Sequence, residues 1–246
     1  MQYIRPSEKA VSDGFANAIL QRSKTDKQDA KLIARYCKAM NPEAWQPQPS
    51  EQRHLQELTR YLSRLKRLRA AEQNKRQTAP GYLKGHIQQT IENLTSQIQQ
   101  VKADLQAFYS SNPRYSENRQ RLKTITGIGE NTAAVLLSTI TSRFDTAAQL
   151  AAYFGLGPKR HQPGTSVNGK ERISKVGKSD LRAALYMPAS AAYRMNAFPA
   201  FIGRLKAGKK PPKLIIVAIM RKLLTIAFHI LKNQTEYDKT RYGLTA

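Results

Sequence analysis

Acidic residues are scarce: 17 Asp and Glu stand against 41 Lys and Arg in 246 residues, a formal net charge of +24. Cysteine is nearly absent, and the lone Cys37 excludes a disulfide framework and a cysteine-built zinc site. Four histidines, at 54, 86, 161 and 229, are too scattered for a local metal motif. No run reaches about 18 uninterrupted apolar residues, the length that reads as a transmembrane span. Met1–Lys9 also lacks the apolar stretch of a secretory signal. Glycine (13) and proline (12) are modest while 40% of residues are apolar, which argues against wholesale disorder. These gaps leave a basic chain, long enough for a sizeable core, expected to act inside the cell on a polyanion, nucleic acid foremost.

The charge is not spread evenly. Residues 1–50 hold 8 basic and 5 acidic residues, residues 51–120 hold 12 and 6, and residues 121–246 hold 21 and 6. A concentrated excess points to a binding face rather than to solubility alone. Its densest stretch is 159–182, where Lys159, Arg160, Lys170, Arg172, Lys175, Lys178 and Arg182 face only Glu171 and Asp180, between glycines 155, 157, 164, 169 and 177. That pattern reads as phosphate-seeking loops between helices.

Two short helices are expected at 11–20 and 26–39, the second with Thr25 as N-cap and Asp26 in the first turn, where the helix dipole favours negative charge. A linker with three prolines follows at 41–50. Leu55, Leu58, Leu62 and Leu65 then step by 3 and 4, as do Ile87, Ile91, Leu94, Ile98, Val101, Leu105 and Phe108. This spacing is that of a coiled-coil seam, and Pro80-Gly81 is where an antiparallel hairpin would turn. The hairpin, 51–112, is either a projecting coiled coil that mediates dimerisation or a plain pair packed on its own domain. From 115 onward a compact all-α domain is expected. Its segment 121–140 reads as helix, Gly127-Ile128-Gly129 turn, helix, like a helix-hairpin-helix spanning about 120–140. Glycines there let a backbone approach a phosphate, though an ordinary tight turn has the same spelling. Further helices are expected at 147–154, 179–193, 199–206 and 213–232. The last is almost wholly apolar, but Arg221 and Lys222 at its centre would each cost roughly 2.5–3.5 kcal/mol in a bilayer, so it reads as a core helix.

Two motifs narrow the function. Lys24 to Ala30 has the form KTDxxDA, and residues 154–189 read FGLGPKRHQPGTSVNGKERISKVGKSDLRAALYMPA. With the GIG turn and the RKLL of 221–224, they resemble the DEDD-type insertion-sequence transposases, a family that includes the pilin-gene invertases. The resemblance covers essentially the whole chain. It implies a resolvase-like (RNase H-like) N-terminal domain, a coiled coil and a C-terminal helical transposase domain. The fold expected here is therefore mainly α: an RNase H-like remnant at 1–40, the 41–50 linker, the 51–112 hairpin and a helical domain at 115–246. The resemblance also implies divalent metal, Mg²⁺, held by acidic residues of which Asp26 and Asp29 would be the third and fourth, and a serine acting with them in strand exchange. Asp26 and Asp29 stand i, i+3, so one helix face can present both hard oxygen ligands. Taken without the family, such a pair is a capping or solvated feature.

Two departures bear on activity. Only 25 residues precede Asp26, so the strand-borne acidic residues of the family pattern are missing and Met1–Arg5 would match the last strand of the sheet. Where the family places its serine before a glycine, this chain reads Gln162-Pro163-Gly164, and proline has no hydroxyl to attack phosphorus. Ser166 is the nearest replacement, as nucleophile or as a loop hydrogen-bonding residue. The expectation is an N-terminally truncated member, DNA-binding but impaired in strand transfer, or else a non-catalytic DNA- or RNA-binding regulatory fragment. Its partners would be DNA, a guide RNA in some relatives, and further copies of itself through the coiled coil, with no membrane, in a bacterial-type cytoplasm near the nucleoid. Gly127, Gly129 and the seven basic residues of 159–182 are the expected DNA contacts.

Overall fold

The computed structural model describes residues 25–41, 47–141, 144–159, 172–238 and 240. The expected helix at 11–20, the strand at Met1–Arg5, and residues 160–171, with Arg160, Pro163, Ser166 and Lys170, lie outside them. The described chain is mainly α, as expected, with nine helices and one two-stranded ribbon. It divides into two compact units, Met1–Pro49 and Ser50–Ala246.

In the first unit, α1 spans Asp26–Met40. Thr25 starts it as expected, its Oγ1 accepting from Gln28 N at 3.3 Å, with Asp26 and Asp29 in the first turn and Asn41 closing the helix at φ 41°. Leu32 and Tyr36, one turn apart, are its buried face.

The second unit opens with α2 (Ser50–Thr78) and α3 (Gly81–Ser111), joined by Ala79-Pro80 and therefore folded back on each other. The leucine and isoleucine positions form the seam between them. Leu55, Leu62, Leu65, Ile98, Val101, Leu105 and Phe108 are also part of the core that extends through Leu122 to Ile230. The near half of the hairpin thus packs into the helical body, while Leu68, Tyr82 and Leu83 toward its turn stay exposed. The attachment is polar as well. Gln52 Nε2 donates to Leu137 O at 3.1 Å and Gln56 Nε2 to Ser138 O at 3.2 Å, satisfying carbonyls that the end of a helix leaves without intrahelical partners.

The body consists of α4 (Pro113–Lys123), α5 (Glu130–Thr139), α6 (Ala147–Tyr153), the antiparallel ribbon β1 (Pro158–Lys159) and β2 (Arg172–Ile173), α7 (Ser179–Arg194), α8 (Pro199–Ala207) and α9 (Pro212–Asn233). The apolar α9 is the hub, touching α4, α6, α7 and α8. It is the one described helix long and apolar enough to cross a membrane, with mean hydropathy 2.1, yet Ile219, Leu223, Leu224, Ala227 and Ile230 are fully buried against these neighbours. His229 on it is half-buried and meets Phe228 edge-on at 5.4 Å, a packing position.

Candidate nucleic-acid interface

The GIG turn joins α4 to α5. Sequence reasoning places the end of the first helix at Thr126; α4 stops at Lys123 because Thr124 to Gly127 turn. Gly127 has φ +96°, and a Cβ there would lie 2.7 Å from the Pro188 carbonyl oxygen on α7. Its missing side chain is thus used by helix packing. Pro188 sits inside α7, where it cannot donate to Ala184 O. Thr132 of α5 supplies that bond instead, Oγ1 donating to Ala184 O at 3.4 Å. Gly129, by contrast, is exposed, N-caps α5 in an extended conformation, and among the described residues has nothing within 4 Å of where a Cβ would be. Beside it, Glu130 binds Arg119 (Nε to Oε2, 2.8 Å) and Lys123. Burial alone would raise the Glu130 carboxyl, but hydrogen bonds from Lys123 and Arg119, with their charges, outweigh it and hold it below its ordinary range.

The glycine-rich segment after α6 is similarly tight. Gly155 ends α6 at φ +67°, its N–H bonding Ala152 O and that of Leu156 bonding Ala151 O, a Schellman closure. Gly177 approaches the same turn so closely that a Cβ would meet Tyr153 O at 2.5 Å. Arg182 clamps the two segments, Nη1 donating to Phe154 O at 3.1 Å and Gly177 O at 3.3 Å. Of the basic residues expected to meet nucleic acid, Arg182 is therefore spent in part on the fold. Lys175, at φ 54°, and Lys178 are exposed, with Lys178 Nζ 5.6 Å from the centre of the Tyr153 ring. Lys159 and Arg172 are brought together by backbone pairing of β1 with β2. Ser174 N donates to Gly157 O at 2.8 Å, which places Ser174 in the same closure.

On α1, Asp26 is exposed and Asp29 half-buried, and neither is ion-paired among the described residues. Hard carboxylate oxygens on one helical turn suit Mg²⁺ in kind, and Mg²⁺ is often held by one or two carboxylates plus waters and phosphates. Among the described residues no third acidic, His or Cys residue joins the pair in a metal-site cluster.

A family described as "Transposase IS116/IS110/IS902 family" matches residues 119–203, and a second family, described as "Transposase", matches residues 3–79. The chain is 35% identical over 229 residues to a pilin gene-inverting protein of Moraxella bovis, covering 92% of this chain and 71% of that protein. The Moraxella lacunata protein of the same description matches to the same extent. An insertion element IS110 protein of Streptomyces coelicolor is 35% identical over 122 residues, 48% of this chain and 29% of that protein. The chain belongs to the DEDD-type IS110 transposase family.

In this IS110-family protein a long one-signed stretch follows the 159–182 segment that sequence reasoning singled out. From Leu181 to Thr235 there is no acidic residue and there are ten basic ones. Arg194, Arg204, Lys206, Lys209, Lys210, Lys213 and Arg221 among them are exposed. Five of these cluster where α8 turns into α9. Arg204 and Lys206 lie in the last turn of α8, where the helix dipole favours cations, and lean on aromatic rings, Arg204 5.6 Å from Phe201 and Lys206 5.3 Å from Tyr193. Lys222 is spent on packing, its Nζ 4.9 Å from the Phe201 ring centre and 5.2 Å from that of Phe198. Burial, then the charge of Arg204, pulls its pKa down. The signal that would have found this corner is the missing acid, which the denser but mixed 159–182 stretch overshadowed.

The corner also holds strain. Lys209 ends α8 at φ 52°, its N–H bonding Lys206 O at 2.8 Å and that of Lys210 bonding Leu205 O at 3.1 Å, in the Schellman position that glycine usually occupies. Left-handed backbone costs a non-glycine residue roughly 1–2 kcal/mol. Lys209→Gly is expected to raise the stability of the protein by about 1 kcal/mol in urea unfolding while weakening its binding to DNA. A gain in both would separate the lysine from binding.

Proposed function

We propose that the Ser50–Ala246 unit grips DNA through the α8–α9 corner, with Lys175 and Lys178 beside α7 as a second contact, and that the chain serves strand exchange as a DNA recombinase. The observation that carries this is the acid-free stretch 181–235 with its cluster of exposed cations. Phosphate contacts dominate non-specific affinity, and every acidic residue left out of the surface removes a repulsion from it. The relatives whose name is pilin gene-inverting protein support DNA as the substrate. Gly129 adds backbone N–H groups at the start of α5 that a phosphate can approach without steric hindrance.

The chemistry would fall to the first unit. Asp26 and Asp29 would hold Mg²⁺ together with water and phosphate oxygens. Bound there, the ion would polarise a phosphoryl oxygen as a Lewis acid. Ser166 remains the serine nearest the family position now held by Pro163. Within α1, Thr25 and the buried Leu32 and Tyr36 fix the turn on which both carboxylates stand.

The test is the salt dependence of duplex binding by the intact chain. Each phosphate contact contributes about −0.9 to the slope of log affinity against log salt, so a slope of about −4 or steeper is expected. A slope shallower than about −1 would refute the reading.

A further inference from the structure

A cleft of about 650 Å³ opens where the α2–α3 hairpin meets α4, α5 and α7. Three cations line it, Lys66, Lys102 and Arg119, against a single carboxylate, Glu130. That carboxylate is already taken, by Arg119 at 2.8 Å and by Lys123. No carboxylate lies within ion-pair distance of Lys66 or Lys102 among the described residues. Lys66 instead donates to Asn131 Oδ1 at 2.5 Å, and its burial, then the like charges of Lys102 and Arg69, pull its pKa down. An ammonium in that position gains from any anion brought to it.

The other linings suit more than a bare ion. Tyr109 is 4% exposed, and its hydroxyl has no hydrogen-bond partner among the described residues. Burial, moderated by the charge of Arg119, pushes that hydroxyl up to about 12, so it stays a donor. The Arg119 guanidinium covers its ring at 4.6 Å. Gln106 and Asn131 add side-chain amides, whose oxygens accept from Arg119 and Lys66, while Leu62 and Leu105 give apolar walls. A cavity of this volume is of small-ligand size, larger than a phosphate needs and large enough for a phosphate with a ring attached.

We propose that this cleft is a nucleotide site, in which Lys66 and Lys102 hold the phosphate while Gln106 and Asn131 meet the edge of the base. The occupant is either a free nucleotide or one turned out of a nucleic-acid strand. The site shares no residue with the α8–α9 corner, so its failure and the failure of that corner are distinguishable.

Isothermal titration of the intact chain with each of the four deoxynucleoside 5′-monophosphates tests it. At least one is expected to bind with a 1:1 ratio, at least about tenfold tighter than its nucleoside or inorganic phosphate alone, because the nucleoside lacks the charge-assisted phosphate contacts and inorganic phosphate lacks the contacts to the base. Lys66→Gln and Lys102→Gln are each expected to weaken that binding about tenfold with unchanged far-ultraviolet helicity, and Lys84→Gln, exposed near the hairpin turn, to leave it as it is. Displacement of the monophosphate by a single-stranded oligonucleotide identifies the strand as the source, and lack of displacement identifies the free nucleotide. Absence of binding by all four, or unchanged binding in both lysine variants, would overturn the proposal, whatever the duplex result.

Discussion

Replacing Arg204, Lys206, Lys209 and Lys210 together by glutamine is expected to lower the affinity for duplex DNA by about 10²–10³-fold near 0.1 M salt. Four phosphate contacts at about 0.9 each would take roughly 3.6 from the salt slope, which sets the upper bound of the loss. The observed drop should be smaller than that bound, because neighbouring Lys213 can share the same phosphates. All four side chains are exposed, so the fold should survive. The two cation–aromatic contacts removed, Arg204 on Phe201 and Lys206 on Tyr193, are worth about 0.5–1 kcal/mol each at an exposed site. A control variant with Lys75, Arg76 and Lys84 changed to glutamine removes exposed charge toward the hairpin turn instead. Fluorescence anisotropy against salt concentration measures both. Equal losses in the two variants would mean that the corner has no special place in binding.

Gly127→Ala is expected to destabilise the protein by about 3–5 kcal/mol. At φ +96° an alanine would pay roughly 1–2 kcal/mol for left-handed backbone, and its Cβ would lie 2.7 Å from the Pro188 carbonyl oxygen. That neighbour is backbone within a helix. It cannot turn aside as a side chain would, so α7 must shift against α5 and α9. Against a typical total stability of 5–15 kcal/mol the loss is large. Gly129→Ala, with an extended backbone and open space around it, should cost less than about 1 kcal/mol. Urea unfolding of the two variants distinguishes them. Equal tolerance at both positions would show that Gly127 is not a packing glycine.

The two halves of the GIG motif thus differ in a way the spelling hides. Glycine at 127 answers to a carbonyl 61 residues away, and glycine at 129 answers to nothing among the described residues. Arg182 is a parallel case. In the sequence it is one more cation in a basic stretch, and in the fold it bridges Phe154 O and Gly177 O. Gln52 and Gln56 look like solvated polar positions on a leucine-rich helix, yet they cap the end of α5. In each instance the deciding partner is distant in the chain, so no local pattern reveals it.

What the sequence by itself determined is whatever repeats or accumulates locally. The heptad leucines and isoleucines set the seam of α2 and α3 because side chains three and four apart share a helix face. Thr25 with Asp26 set the start of α1 through the first-turn N–H groups, and the scarcity of acid gave the chain its net charge of +24. KTDxxDA and FGLGP set the family. The tertiary structure alone decided how charge and glycine are divided between folding and binding. Packing turns α7 against α5, drawing Gly127, Thr132 and Arg182 into the interior contacts. It leaves Arg204 to Lys213 outside, on the corner where α8 turns into α9. Burial is a non-local quantity: a cation near a carbonyl is consumed by the fold, and one facing water keeps its charge for a phosphate.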